Sequence, residues 1–450
     1  MTVTRAIATK KRVVIIRRVV SPLIQQEFAA RGVAQVVVIL RAQGPLLAAG
    51  SIKDVASSFG DYFVRSALSR DAALALSKKK SAEAPLVRHY PNLGALFGTV
   101  SPESLTQLQQ DPRVATVVGA PELSLIRPRK RERVAAADDI WGAEALNIPR
   151  LWQQGLNGDK ILIGHIDTGA DGSHPALKDA IADFTDTDDN GNLTAASPYD
   201  SGEHGTHTAG TIAGRAHGIC VAPGALLVSA IVIERGNHVP RILAGLNWAI
   251  GKGVRILNLS FGMRGWWDDF QPIIDAIRQK NILPIVAVGN EGPGTSRSPG
   301  NYPNVLSVGA VDSSSAVWDD SSSQRFNRPA APLVPALVAP GVAILSAKPG
   351  GGYQMLDGSS MATPHVTALA ALLMQAKSDA TADQIEQAIY ASCRLRSGMS
   401  PERANRGLPD AVEALAVLTG TRLAASKRAR TVARTKTRRK KPVASRRKRP

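Results

Sequence analysis

The larger part of this chain predicts an α/β domain with a mainly parallel sheet, for three reasons. Ile161 to Ile166, Leu226 to Ile233, Val254 to Leu259, Ile282 to Val288 and Val305 to Val311 are short continuous apolar runs, separated by helical stretches such as Arg241 to Gly251 and Gln271 to Lys280. Runs without polar alternation are strands buried on both faces, the condition of a parallel sheet covered by helices. Residues able to do chemistry follow the ends of several runs, where open α/β sheets place their sites. A hydrophobic content of 44% over 450 residues supplies core for more than one folded unit.

Before Trp141 the pattern differs. Val13 to Ile16, Val36 to Leu40, Leu96 to Val100 and Val114 to Val118 read as short strands with charged punctuation. Ser101 precedes Glu103 and Ser104, Leu105 and Leu108 lie three apart, and Asp111-Pro112 closes the stretch, so a short capped helix is expected there. These elements make a small α+β unit. Arg127 to Asp139, basic and then alanine-rich, reads as an exposed linker. The expected division is an extension over 1–29, the α+β unit over 30–126, the linker over 127–140, the α/β domain over 141–420 and a tail over 421–450. With only Cys220 and Cys393, packing and not a disulfide framework must hold the chain, and one bridge between them stays open. No apolar run reaches the roughly 18 residues needed to cross a membrane. The apolar stretch after Lys10-Lys11-Arg12 is too short for a secretory core, which leaves the cytoplasm or a non-Sec export route open.

Charge divides the chain in the same way. The net of +18 is made of +12 over residues 1–135, −8 over 136–421 and +14 over 422–450. A basic unit beside an acidic one favours their association, less so at physiological salt. The tail carries Lys427-Arg428, Arg438 to Lys441 and Arg446 to Arg449 with no aromatic residue, so it repels itself, buries nothing and is expected to be disordered. Its roles stay open between a solubilising tail, attachment to nucleic acid or an anionic surface, and docking on the acidic domain. Without aromatics, nucleic-acid binding would be driven by phosphates and blind to sequence.

Four motifs sit at the predicted strand ends and helix starts. Asp167-Thr168-Gly169 follows the first run of the α/β domain. His204-Gly205-Thr206-His207-Thr208-Ala209-Gly210 opens a helix, Gly289-Asn290-Glu291-Gly292 follows the fourth run, and Gly358-Ser359-Ser360-Met361-Ala362-Thr363-Pro364-His365 opens a helix to about Gln375. A serine hydroxyl is a poor nucleophile until a base takes its proton, and imidazole titrates near neutrality. A carboxylate behind the ring fixes its tautomer and stabilises the imidazolium. A serine at a helix N-terminus has the positive dipole end and its own N–H facing the reacting carbonyl, and an asparagine amide adds a second donor. Each motif alone is weak. Asp-Thr-Gly also marks aspartic peptidases, and in isolation reads as a structural turn; a carboxylate dyad is not expected. His204 and His207 have the spacing of a metal pair, but Gly205 interrupts the aligning helix, so no metal ligands are assigned. The signal is the order Asp, His, Asn, Ser.

Over residues 141–415 these motifs resemble the catalytic domain of subtilisin-like serine peptidases, the subtilases. The resemblance implies a subtilisin-like three-layer α/β domain with a mainly parallel sheet, preceded by a small α+β propeptide domain over 30–126 and followed by the basic tail. It implies a serine endopeptidase acting on extended protein or peptide substrates, with Asp167, His204 and Ser360 as its triad and Asn290 with the Ser360 N–H as oxyanion hole. Ser359 replaces the usual threonine, and His207 becomes a neighbour of the base. Leu259-Ser260-Phe261-Gly262 resembles the family's edge segment that pairs with substrate backbone, a form of strand addition, and Gly289 lines the same cleft. The propeptide would act as intramolecular chaperone and inhibitor, with processing inside the linker.

Two departures qualify the resemblance. The family often carries a calcium loop between the positions of Gly210 and Val221; here it is short and Arg215 would repel a cation, so that site is expected to be lost and no cofactor is required. The acidic stretch Asp183 to Asp189 reads as a solvated loop. Pro293 to Ser298 shortens a wall of the specificity pocket and brings Arg297 near its base, either favouring acidic or polar side chains just before the scissile bond or turning to solvent. The alternative function is a polyanion- or nucleic-acid-binding protein whose subtilase domain is weakly active or inactive.

Overall fold

A computed structural model describes residues 20–41, 52–64, 87–132, 141–216, 218–233 and 236–422. The expected strand Val13 to Ile16 and nearly all of the basic tail lie outside the described residues.

The N-terminal unit is a four-stranded antiparallel sheet in the order Arg88–Tyr90, Ala95–Val100, Ala34–Leu40, Val114–Gly119. Alternation along its central strand decides what each face does. Val36 and Val38 pack with Ile24, Leu96, Leu105 and Leu108 into a core of the unit's own. Val37 points the other way, with Tyr90, Ala95 and Phe97, into a cluster shared with Ile242, Leu246 and Phe270 of the α/β domain. Polar contacts pin this docking: Asn92 N–H donates to Asn247 Oδ1 at 2.8 Å, Asn92 Nδ2 to the Asn247 carbonyl at 2.9 Å, and Gly119 N–H to Asp269 Oδ1 at 2.7 Å. The helix Pro102–Gln110 starts on a Ser101 side chain that accepts from Ser104 N–H, as its sequence predicts.

The α/β domain is built on an eight-stranded sheet ordered Leu337–Pro340, Leu306–Val311, Leu283–Ala287, Ile256–Leu259, Leu162–Asp167, Leu226–Ile231, Ile181–Thr187, Leu193–Thr194. Only the last pair is antiparallel. Helices His204–Ala213 and Ser359–Ala376 cover one face. Helices His238–Gly251 and Gln271–Gln279 cover the other, completing three layers.

Three expectations need correction. Residues 22–29, assigned to an extension over 1–29, belong to the helix Pro22–Arg31, which buries Ile24 in the core of the N-terminal unit. The acidic stretch is a loop only at Asp188 and Asp189: Ile181–Thr187 is a strand whose Asp183 pairs with Lys252 at 2.5 Å and whose Asp186 accepts from Tyr199 Oη, so these carboxylates are matched while Phe184 turns inward. Nor is the linker free where it is described. Arg129–Lys130 is a strand pairing with Tyr353–Asp357, which satisfies its backbone while its side chains stay in solvent.

Candidate active site

Asp167 ends its strand with 1% exposure. Its carboxylate accepts from Thr168 N–H at 2.7 Å and from His204 Nδ1, which lies 2.7 and 3.0 Å from the two oxygens. Burial pushes its pKa up, but His204 and the Thr168 N–H outweigh that and hold it below the usual carboxylate range. His204 opens its helix, and Gly205 follows because a Cβ there would stand 1.9 Å from the Gly169 carbonyl oxygen. Glu203 gives this helix no side-chain cap. Thr168 Oγ1 and Asp200 Oδ2 take the Gly205 and Thr206 N–H groups instead, at 2.9 and 2.7 Å. Asp200-Ser201-Gly202 is in fact a second tripeptide of the aspartic-peptidase type, yet its carboxylate is engaged by Thr168, Gly202 and Thr206 while Asp167 faces His204.

Sequence reasoning missed His165. It is fully buried two residues before Asp167, with Nδ1 3.0 Å from Ser229 Oγ, Nε2 2.9 Å from Thr208 Oγ1 and 4.0 Å from Asp167 Oδ2. Burial holds its pKa down. A histidine inside an otherwise apolar strand was the signal that could have found it. His207 packs away from Asp167, with Nε2 2.9 Å from the Ile344 carbonyl and its pKa lowered by burial to about 3. His365 lies against the Met361 carbonyl, with a pKa lowered by burial to about 4.

Ser360 is the second residue of its helix and is inaccessible to solvent. Its hydroxyl donates to the carbonyl of Ile126 at 2.9 Å. Asn290 Oδ1 accepts from the N–H and the hydroxyl of Ser359, at 2.9 and 2.8 Å, which aims Nδ2 at the Arg127 carbonyl 3.0 Å away. The serine that replaces the usual threonine therefore orients the asparagine. Gly289, at φ +123°, donates its N–H to the same Ser359 hydroxyl at 3.3 Å.

Between these groups runs the chain's own segment 121–131. Leu125 and Ser124 pair antiparallel with Phe261 and Gly262, and Ile126 N–H donates to the Ser260 carbonyl at 2.9 Å. Cavities flank it on both sides. One of about 350 Å³ is lined by His204, Glu203, Thr168 and Pro128, the other, of about 660 Å³, by Asn290, Glu291, Arg297 and Arg264. Arg297 is not turned to solvent: it is 6% exposed, with Nε 2.9 Å from Glu291 Oε1 and Nη1 3.1 Å from the Gly262 carbonyl. Burial would raise the Glu291 pKa, but Arg297 holds it below its usual value.

The model of the subtilase family matches residues 158–415, more than half of the chain. The chain belongs to the subtilase family. An alkaline protease of Alkalihalobacillus alcalophilus is 30% identical over 319 residues, covering 70% of this chain and 77% of that protein. Subtilisin E of Bacillus subtilis is 31% identical over 321 residues, covering 67% and 77%. Bacillopeptidase F of the same species is 28% identical over 391 residues, 76% of this chain but 27% of that protein. This subtilase is thus a serine peptidase, a hydrolase of protein or peptide substrates. Among its described residues no group of three or more His, Cys, Asp or Glu is placed to hold a metal ion. No described helix is long and apolar enough to cross a membrane, and Cys220 and Cys393 are both buried free thiols.

Proposed function

We propose that this subtilase is a serine endopeptidase made as an inhibited precursor. Ser360 Oγ attacks the substrate carbonyl while His204 takes its proton and passes it to the leaving amine. Asp167 holds the ring and stabilises its charge, and Asn290 Nδ2 with the Ser360 N–H receives the oxyanion. The observation that supports this reading best is the contact of Ser360 Oγ with the Ile126 carbonyl at 2.9 Å, in a segment already paired as an added strand.

The same contact makes Ile126–Arg127 the proposed processing bond, and for that cut Asn290 Nδ2, which here rests on the Arg127 carbonyl, has to shift one residue back to the Ile126 carbonyl. The Ile126 N–H is seated on Ser260, and the next bond, Arg127–Pro128, would require a prolyl leaving nitrogen. Residues up to 126 would then stay docked as the inhibitor. The test is the N-terminal sequence of the processed enzyme together with its action on casein. Arg127 as the new first residue and cleavage at internal bonds are expected; a different first residue overturns the register, and intact casein overturns the endopeptidase.

A polyanion-binding protein without turnover is not the reading adopted: Ser360 Oγ and Asn290 Nδ2 both donate to carbonyls of the segment Ile126-Arg127, and His204 Nδ1 is held on the Asp167 carboxylate, which favours the peptidase. Attachment of residues 421–450 to nucleic acid or an anionic surface is a separate proposal. DNA binding that weakens steeply with salt and disappears on truncation after Gly420 is its expected outcome.

A further inference from the structure

Arg297 lies two strands away from the segment in the cleft, yet touches it. In the three-stranded sheet Arg297–Ser298, Phe261–Arg264, Ser124–Leu125, the middle strand opposes Ser124 with Gly262. A Cβ at Gly262 would stand 3.0 Å from Arg297 Cβ and 2.8 Å from the Ser298 carbonyl oxygen, so the missing side chain is what lets the guanidinium through. Arg297 Nη1 then donates to Ser124 Oγ at 3.0 Å. Its other partners stay with the enzyme: Glu291 takes Nε and Nη2, and the Gly262 carbonyl takes Nη1. When the segment leaves, the donor that served Ser124 faces the cleft.

The charge around it is not balanced. Arg264 Nε sits 3.6 Å from the same Glu291 oxygen that holds Arg297, so two guanidinium groups share one carboxylate. An incoming carboxylate meets net positive charge, and a lysine meets repulsion.

We propose that Arg297 reads the third substrate residue upstream of the scissile bond, and that this enzyme favours peptides with a carboxylate or hydroxyl there. This rests on the reading of Ile126 as the residue whose carbonyl Ser360 attacks. It moves the specificity role of Arg297 from the residue adjoining the scissile bond to one two positions earlier. A carboxylate outranks a hydroxyl because charge-assisted hydrogen bonds are the stronger kind.

Internally quenched peptides carrying residues 121–130, with Asp, Ser, Ala or Lys at position 124, test it against the self-processed enzyme once its cleaved N-terminal unit has been removed. The expected order of kcat/KM is Asp, Ser, Ala, Lys, with Asp over Ala by about fivefold, the size of a partly exposed ion pair. The Asp-to-Lys ratio should collapse in Arg297→Gln, and in the wild type it should shrink as ionic strength rises, a readout that needs no variant to fold. Equal rates for all four peptides overturn this inference and leave the endopeptidase standing. Failure to cleave any of them, with casein also intact, overturns both.

Discussion

The two legs of the segment that crosses the cleft are held by different physics. Upstream of Ser360, Leu123 and Ile126 are inaccessible to solvent and Leu125 is 8% exposed. Downstream, the side chains of Arg129 and Lys130 are 64% and 67% exposed and reach Asp320 and Glu203 as surface ion pairs. Arg131 meets the buried Asp357 at 2.6 Å. Fully burying one leucine or isoleucine is worth about 1.5–3 kcal/mol, an exposed ion pair about 0.2–1 kcal/mol that salt erodes. A cut between the legs therefore has unequal consequences. On the proposed cut the upstream leg would stay, anchored further by the shared face of Val37, Tyr90 and Phe97, and the downstream leg would leave.

The largest expected effect is on the cut itself. Asn290→Ala removes the amide aimed between the legs, and turnover should fall ~10²–10³-fold, the loss that removing the oxyanion-hole asparagine causes in a subtilisin. Unchanged turnover would remove Asn290 from the oxyanion hole. Acid probes the scaffold beneath both legs. His207 and His365 are neutral in the fold, with pKa values of about 3 and about 4, against 6.5 for an ordinary histidine. The unfolded chain binds protons first, so their contribution is complete above 6.5 and is lost as pH falls toward 4. Thermal unfolding should show a stability loss of about 1.4 kcal/mol per pH unit for each histidine in that window, and His207→Asn should reduce the slope.

Leu123→Ala should loosen the upstream leg by about 2–3 kcal/mol, seen as faster loss of the cleaved N-terminal unit in size-exclusion chromatography of processed enzyme. The smallest effect is reserved for the downstream leg. Arg129→Ala with Lys130→Ala should loosen the downstream leg by less than about 1 kcal/mol, and even less in high salt, read as amide hydrogen exchange of residues 129–131 in the uncut Ser360→Ala protein. A larger effect than that of Leu123→Ala would invert the comparison.

What the sequence made legible follows the same physics. The strands Leu162–Asp167, Ile256–Leu259 and Leu306–Val311 lie where runs rich in Val, Ile and Leu, broken only by polar or small residues such as His165, Asn258 and Ser307, announce burial on both faces. Asp167, His204, Asn290 and Ser360 were legible because their motifs also carry local geometry, such as the glycine that clears the Gly169 carbonyl. Ile181–Thr187 was hidden because its acidic residues look solvated until Tyr199 and, from far along the chain, Lys252 meet them. Arg129–Lys130 was hidden because an edge strand needs only backbone pairing, which leaves no apolar signature. Arg297 depended on Glu291 and on the gap at Gly262, a three-body arrangement no local pattern records.

The central claim is that Ser360 cuts the chain's own segment between its two legs. Wild type and Ser360→Ala, expressed side by side and weighed intact, test it most directly. The wild type should lose about 13 kDa from its N-terminus, the share of 126 residues in 47.6 kDa, while the variant stays at 47.6 kDa. Equal masses for both proteins, whether intact or shortened, would contradict it.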